Sequence, residues 1–383
     1  MNRCASVLIS ILLVACATAP APEHIEHLFS DGLFQAPSER ISADDVFALS
    51  AEMKHYLNDT IAGQLRIRGR RQALIDALYD KSQIQLEFDS AMTRTASQTF
   101  HARTGNCLSL VVMVAALAKE LGVPVQYNNV LVEETWGRSG DIYMSIGHVN
   151  LTLGPRRTDA GFGRDWNDSL MIDFLPPRDI RGLHVRPIEE KTVVAMFMNN
   201  RAVESLAANQ LDNAYWWSRE AIRQDSKFLS AYNTLGAVYW RHGNAREAEH
   251  VLTTVLEREP GNTHAMSNLI PVLDDLGRVA DATALIRRLN ELEPYPPFSF
   301  FNRGMAAMQE GNFKLAKEMF AKEVDRAAYY HEFHFWLAIA NLRVGEVREA
   351  RKHLTLAIEE STTREERDLY AAKLAWIKTY RTQ

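Results

Sequence analysis

Tyr232-Asn233-Thr234-Leu235-Gly236-Ala237-Val238-Tyr239, followed by Gly243, Ala248, Leu252 and Pro260, is the stretch on which the fold turns. Its alanine recurs. Ala214, Ala248, Ala282, Ala316 and Ala350 stand 34 residues apart. Five residues before each come Asn209, Gly243, Gly277, Gly311 and Gly345, and four residues after come Ser218, Leu252, Ile286, Phe320 and Leu354. Pro260 and Pro294 close two units at the same spacing. A fixed period of this length marks stacked supersecondary units, each too small to bury its apolar face alone. The small residues have a mechanical reason: two helices cross closely only where a side chain is short. Glycine at the turn supplies the positive φ that ends the first helix.

The pattern resembles the tetratricopeptide repeat, a helix–turn–helix unit. Five units are expected over 195–362, forming an all-α solenoid, with a capping helix in 363–383. That helix, Thr363 to Thr379, would use Leu369, Leu374, Ala375 and Ile377 to cover the last unit. Unit one departs from the pattern at Met198 and Arg201, and Pro271 should kink the first helix of unit three. By register, the concave groove would be lined by Asn199, Asn200, Asn233, Asn268, Asn302, Phe301, Phe335 and Trp336. Asparagine side chains can pair with a peptide backbone, and the aromatics offer apolar pockets for a protein or peptide partner. Alternatively, the asparagines are solvated or bond between repeats.

At 383 residues the chain has room for two or three domains. Lys+Arg at 43 against Asp+Glu at 48 gives a charge of −5, with no long basic run, which argues against a nucleic-acid binder. Three cysteines (Cys4, Cys16 and Cys107) build neither a disulfide framework nor a four-cysteine zinc site.

Arg3 precedes an apolar run from Val7 to Ala15, far short of the ~20 residues that span a bilayer. The run ends Leu13-Val14-Ala15-Cys16, which resembles the bacterial lipobox. The resemblance implies a signal peptide over 1–15, lipidation of Cys16 and a tether over 16–39. With Ala17 after the cysteine, it implies an outer-membrane anchor facing the periplasm. The competing readings are an ordinary signal peptide cut after Ala17, Ala19 or Ala21, and a chance apolar start. In the lipoprotein reading Cys107 is the sole remaining thiol, and loss of Arg3 leaves 42 − 48 = −6.

Residues 40–95 read as helical, with Gln72 to Tyr79 an amphipathic stretch. Thr95 to Ala102 leads into Arg103-Thr104-Gly105-Asn106-Cys107-Leu108-Ser109. Gly105-Asn106 marks a turn and Cys107 opens a buried helix that ends near Gly122. A thiol at a helix N-terminus meets free N–H groups and the positive end of the dipole, so a lowered pKa is expected. Val125 to Val132 and Met144 to Leu153 read as strands, and in the second His148, Asn150 and Thr152 share one face. In Ser169 to Phe174, Asp173 points away from Ile172 and Phe174. Paired strands would make His148 and Asp173 neighbours, and Cys107 packing on that face would complete a Cys–His–Asp set.

These residues in this order resemble the transglutaminase-like, papain-like cysteine superfamily. The resemblance covers 40–190 and implies an α+β domain ahead of the repeat solenoid. It also implies that Cys107 is the nucleophile, His148 the base and Asp173 the orienting carboxylate. The family's oxyanion side chain has no clear counterpart; Trp136, Asn106 and Gln98 are candidates. No cofactor and no metal are expected. His331 and His334, His24 and His27, and Asp165, Asn167 and Asp168 lack metal-ligand spacing. The expected function is an amide or peptide hydrolase or acyl-transferase whose repeats hold a protein substrate. The competitors are a noncatalytic envelope scaffold and an enzyme that cleaves cell-wall peptides.

Overall fold

The computed structural model describes residues 25–79, 86–90, 92–139, 142–154, 169–174 and 184–379. The signal segment, Cys16 and the Asp165 to Asp168 cluster lie outside them.

The N-terminal region is mixed helix and strand. Short helices come first: α1 (Ala51–His55), α2 (Ala62–Arg68) and α3 (Arg70–Tyr79). A π-turn, Tyr56–Thr60, joins the first two. Strand β1 (Glu87–Phe88), helix α4 (Ala96–Ala102), strand β2 (Thr104–Gly105) and helix α5 (Cys107–Glu120) follow. Leu108 through Ala118 are all buried, so α5 is a central core helix rather than a surface one. Four strands then form an antiparallel sheet in the order β5-β4-β3-β6. They are β3 (Val125–Ser139), β4 (Ile142–Leu153), β5 (Leu170–Ile172) and β6 (His184–Ile188). The β3/β4 hairpin runs further than the sequence pattern indicates, with a register shift between Val130 and Thr135. Strand alternation is obeyed: Val149, Leu151 and Leu153 belong to the main apolar core, and His148 and Asn150 are buried on the other face of β4.

Helix pairs make the repeats: α6 (Glu190–Ala207) with α7 (Leu211–Gln224), α8 (Leu229–Arg241) with α9 (Ala245–Arg258), and α10 (Thr263–Asp275) with α11 (Val279–Leu292). Then come α12 (Ser299–Gln309) with α13 (Phe313–Arg326), and α14 (His331–Arg343) with α15 (Val347–Glu359). The turn residues Asn209, Gly243, Gly277, Gly311 and Gly345 all have φ between 58° and 90°, the left-handed conformation the spacing demands. At the helix crossing of unit two, a Cβ on Gly236 would lie 2.6 Å from Leu252 Cγ, so only glycine fits. Helix α10 continues through Pro271.

Three features depart from the sequence reading. First, the array is not one continuous stack. Units one to three share the core of the N-terminal region, whereas Phe298 onward forms two separate cores. Val279, Ile286 and Leu292 of α11 are exposed beside the Pro294-Tyr295-Pro296-Pro297 connection. Second, the cap is α16 (Arg364–Thr379), anchored by Tyr370 and Ile377, while Leu369 is 51% exposed. Third, the stretch expected as a tether over 16–39 is, from Ile25 onward, a strap bound to the repeats. Phe34 stacks on Tyr215 at 4.0 Å. Tyr215 and Trp217 donate to Asp31 and Glu39, Trp216 donates to the carbonyl of Gln35, and Arg201 pairs with Glu39 at 2.9 Å. An apolar ring flanked by acids meets aromatics and arginines, which explains why this segment packs instead of hanging free.

Candidate active site

The site begins with three local devices in succession. Thr95 and Gln98 form a capping box that starts α4. Arg103, at φ 57°, closes that helix and turns the chain into β2. Asn106 then caps α5: its Oδ1 accepts from the Ser109 N–H at 2.9 Å and the Ser109 hydroxyl at 2.8 Å. Ser109 Oγ in turn accepts from the Arg94 N–H at 2.8 Å. Gly105 is required here, because a Cβ would come within 2.8 Å of Ser109 Cβ. Cys107 is therefore fixed as the first residue of a well-capped helix.

Its thiol is pushed up to about 12, opposite to the expected direction. Burial is the main cause and the Asp173 carboxylate adds to it; the backbone N–H of Cys107 itself opposes both and loses. Cys107 as a whole is half-buried, and it is the sulfur's desolvation that outweighs this backbone hydrogen bond.

His148 and Asp173 come together as the strand pairing requires. Ile172 pairs with Leu151, so Asp173 lies level with Asn150. His148 Nε2 is 2.8 Å from Asp173 Oδ1, with side-chain exposures of 6% and 4%. The other carboxylate oxygen, Oδ2, accepts from Asn150 Nδ2 at 2.8 Å. Asn150 is held in turn by Asn128, whose Nδ2 donates to Asn150 Oδ1 at 3.0 Å and to Thr152 Oγ1 at 3.2 Å. With Nε2 turned to the carboxylate, Nδ1 is the ring nitrogen left for proton exchange. Among the described residues Cys107 makes no hydrogen bond to the His148 ring; its link to the pair is the field of Asp173. Asn150, already placed on the His148 face by alternation, gains a role as the holder of Asp173, and Asn128 on β3 is the member the sequence reading did not single out.

The oxyanion candidates fare differently. Asn106 is spent on capping, and Gln98 is exposed and belongs to the cap of α4. Trp136 lies on β3, with its side chain outside what is described. In the repeats, Asn199 and Asn233 are half-buried, and each has a buried Oδ1 with no donor among the described residues. Asn268 is half-buried, Asn302 is exposed, and Trp336 is half-buried with its ring 6.3 Å from Phe320. Phe301 is not a groove residue: it is 0% exposed, packed on Phe298, Phe320 and Phe333. Phe335 also leaves the groove, stacking on Tyr370 under the cap at 4.8 Å. Asn200 turns toward the N-terminal region and donates to Thr93. His331 bonds Tyr370, and His334 bonds His353. No cluster among the described residues has three or more side chains able to hold a metal, and no helix there is long and apolar enough to cross a membrane.

Repeat geometry and sequence agree on the class of the C-terminal part, a tetratricopeptide repeat solenoid. Residues 239–296 and 301–364 each match a tetratricopeptide repeat family. Among solved structures, the chain is similar to TTC0263, a thermophilic TPR protein of Thermus thermophilus. They are 18% identical, with 47% of this chain and 99% of that one covered, at a TM-score of 0.31. It is also similar to YrrB, a TPR protein with an unusual peptide-binding site, at 23% identity over 47% of this chain and 92% of that one, TM-score 0.25. Yeast Tom70 is 15% identical over 49% of this chain and 40% of that one, TM-score 0.35. No curated protein matches the chain.

Proposed function

We propose that the chain is a partner-binding repeat protein whose N-terminal region acts as a cysteine hydrolase or acyl-transferase of transglutaminase-like type on amide or peptide bonds. The observation that carries the reading is the buried His148–Asp173 pair, with both carboxylate oxygens engaged, on the sheet beside the helix that Cys107 opens. With burial and the Asp173 carboxylate raising the thiol's pKa, proton removal accompanies the attack. Nδ1 of His148 takes the thiol proton as Sγ attacks the carbonyl carbon. The C–N bond then breaks, and the imidazolium returns that proton to the leaving amine. Water adds to the thioester with the imidazole again as base, releasing the acid and restoring the thiol. Asp173 keeps the ring oriented, and Asn150 keeps Asp173 oriented.

The repeats would present the substrate. Asn199 and Asn233, half-buried and one repeat apart, are the candidates for pairing with the backbone of an extended peptide. Lipidation of Cys16 would hold the protein at the outer membrane, facing the periplasm; its support is the lipobox sequence alone. Labelling with a radioactive fatty acid, lost in Cys16→Ser, tests the anchor.

A peptide carrying an electrophilic carbonyl, incubated with the full chain, tests the chemistry. A covalent adduct on Cys107, abolished by His148→Ala, is expected. Alkylation without dependence on His148 refutes the hydrolase. The second reading is a noncatalytic scaffold, favoured by the raised thiol and by the lack of a Cys107–His148 hydrogen bond among the described residues. It predicts partner binding that survives Cys107→Ser, with no hydrolysis of any amide by the wild type.

A further inference from the structure

Thr93 is 2% exposed and hydrogen-bonds two parts of the molecule at once. Its Oγ1 accepts from Asn106 Nδ2 at 2.8 Å and from Asn200 Nδ2 at 3.3 Å. Its N–H donates to Glu204 Oε1 at 2.7 Å. Asn106 is the cap of the Cys107 helix, whereas Asn200 and Glu204 lie on α6, the first helix of the repeats. Glu204 is braced by Arg201, which pairs with Glu39 of the strap. The far end of the array returns to the same segment: the Ser90 N–H donates to the carbonyl of Thr362, just beyond the fifth unit, at 3.0 Å.

We infer that Asn200 and Glu204 are positioning residues for Cys107, acting through Thr93 on the cap Asn106, so that the repeat solenoid completes the nucleophile's setting. An asparagine amide can turn end for end. Only with Nδ2 held by Thr93 does Oδ1 face the Ser109 N–H and close the first turn of α5. Thr93 is held in place by Glu204, which accepts its N–H at 2.7 Å. The N-terminal region thus depends on unit one for the geometry of its thiol, and the first repeat helix is a structural partner of the site as well as a groove wall. The inference rests on Cys107 as the working nucleophile, yet its test reads the thiol itself and needs no substrate.

The experiment compares iodoacetamide alkylation of Cys107 at pH 8 in the full chain for wild type, Asn200→Ala, Glu204→Ala, Thr93→Val and Thr93→Ser. Melting curves and hydrogen exchange of the Leu108 to Leu110 amides accompany it. Loosening the cap opens the first turn, so alkylation accelerates about fivefold, the factor that loss of one helix cap puts on local opening. Exchange at Leu108 to Leu110 rises with it, exchange in α14 and α15 stays unchanged, and Thr93→Ser behaves as wild type because it keeps the hydroxyl. Should Thr93→Val fail to fold, Asn200→Ala and Glu204→Ala carry the test, since both leave Thr93 in place. Wild-type alkylation rates in both of those variants overturn the inference. So does faster exchange spread evenly through the chain, which marks a merely structural role. Absence of hydrolase activity with accelerated alkylation overturns only the proposed reaction.

Discussion

Mixing the native protein with iodoacetamide across pH 6 to 11 probes the thiol directly. A thiol at about 12 is ionised at pH 7.5 in only about 3 × 10⁻⁵ of molecules, against about 0.1 for a free thiol near 8.5. That deficit is about 3 × 10³. A more basic thiolate is intrinsically more nucleophilic, and a Brønsted slope of roughly 0.45 recovers about 40-fold. Native Cys107 is therefore expected to alkylate about 10²-fold more slowly than the same cysteine in urea-unfolded chain. No plateau is expected below pH 10. Asp173→Asn removes the second cause of the rise and should move the alkylation midpoint down. Burial, the larger cause, remains, so the midpoint should stay above that of the unfolded chain. Mass spectrometry of the labelled Cys107 peptide over time gives the rates. A native midpoint below the free-thiol value, or an upward move in Asp173→Asn, refutes the reasoning that burial and a carboxylate dominate the helix terminus.

Phe34→Ala removes an 8%-exposed ring stacked on Tyr215 and should cost about 3 kcal/mol of strap docking, read as new proteolytic cleavage between 25 and 39 with the melt of units four and five unchanged. Burial holds His353 down to about 4, with His334 and Lys352 adding to the effect. The unfolded chain takes up that proton near 6.5 while the native one resists, so stability of the fifth unit and cap should fall as pH drops from about 6.5 to 4, and His353→Asn should flatten that slope in hydrogen exchange. Gly304→Ala places a Cβ about where the Phe320 ring stands, 2.5 Å from Cε1. Because units four and five have their own cores, the overpacking cost of about 1–3 kcal/mol should appear as an earlier partial melt by circular dichroism, with α5 still protected.

The repeats are legible without any coordinates, because each unit's period, turn residue and helix crossing are local. Asn209 and four glycines sit at positive φ where the 34-residue spacing requires it, and Gly236 meets Leu252 as a small residue must. Cys107 at a helix start behind Asn106, and His148 and Asp173 on neighbouring strands, are legible in the same way, since capping and alternation are read residue by residue. The rest came from segments meeting in space. A pKa depends on what excludes water and which charges arrive from distant segments, so the thiol expected to have a lowered pKa has a raised one. Helix register left Phe301 facing either groove or core, and packing on Phe320 chose the core. The strap carries no periodic pattern, so its docking on Tyr215 and Trp217 was invisible until both segments met. Thr93 reads as an ordinary loop residue, and only the fold brings α6 and the Cys107 helix to its two sides. Local pattern dictates elements; long-range contact, which a one-dimensional reading does not contain, dictates the chemistry of the side chains they carry.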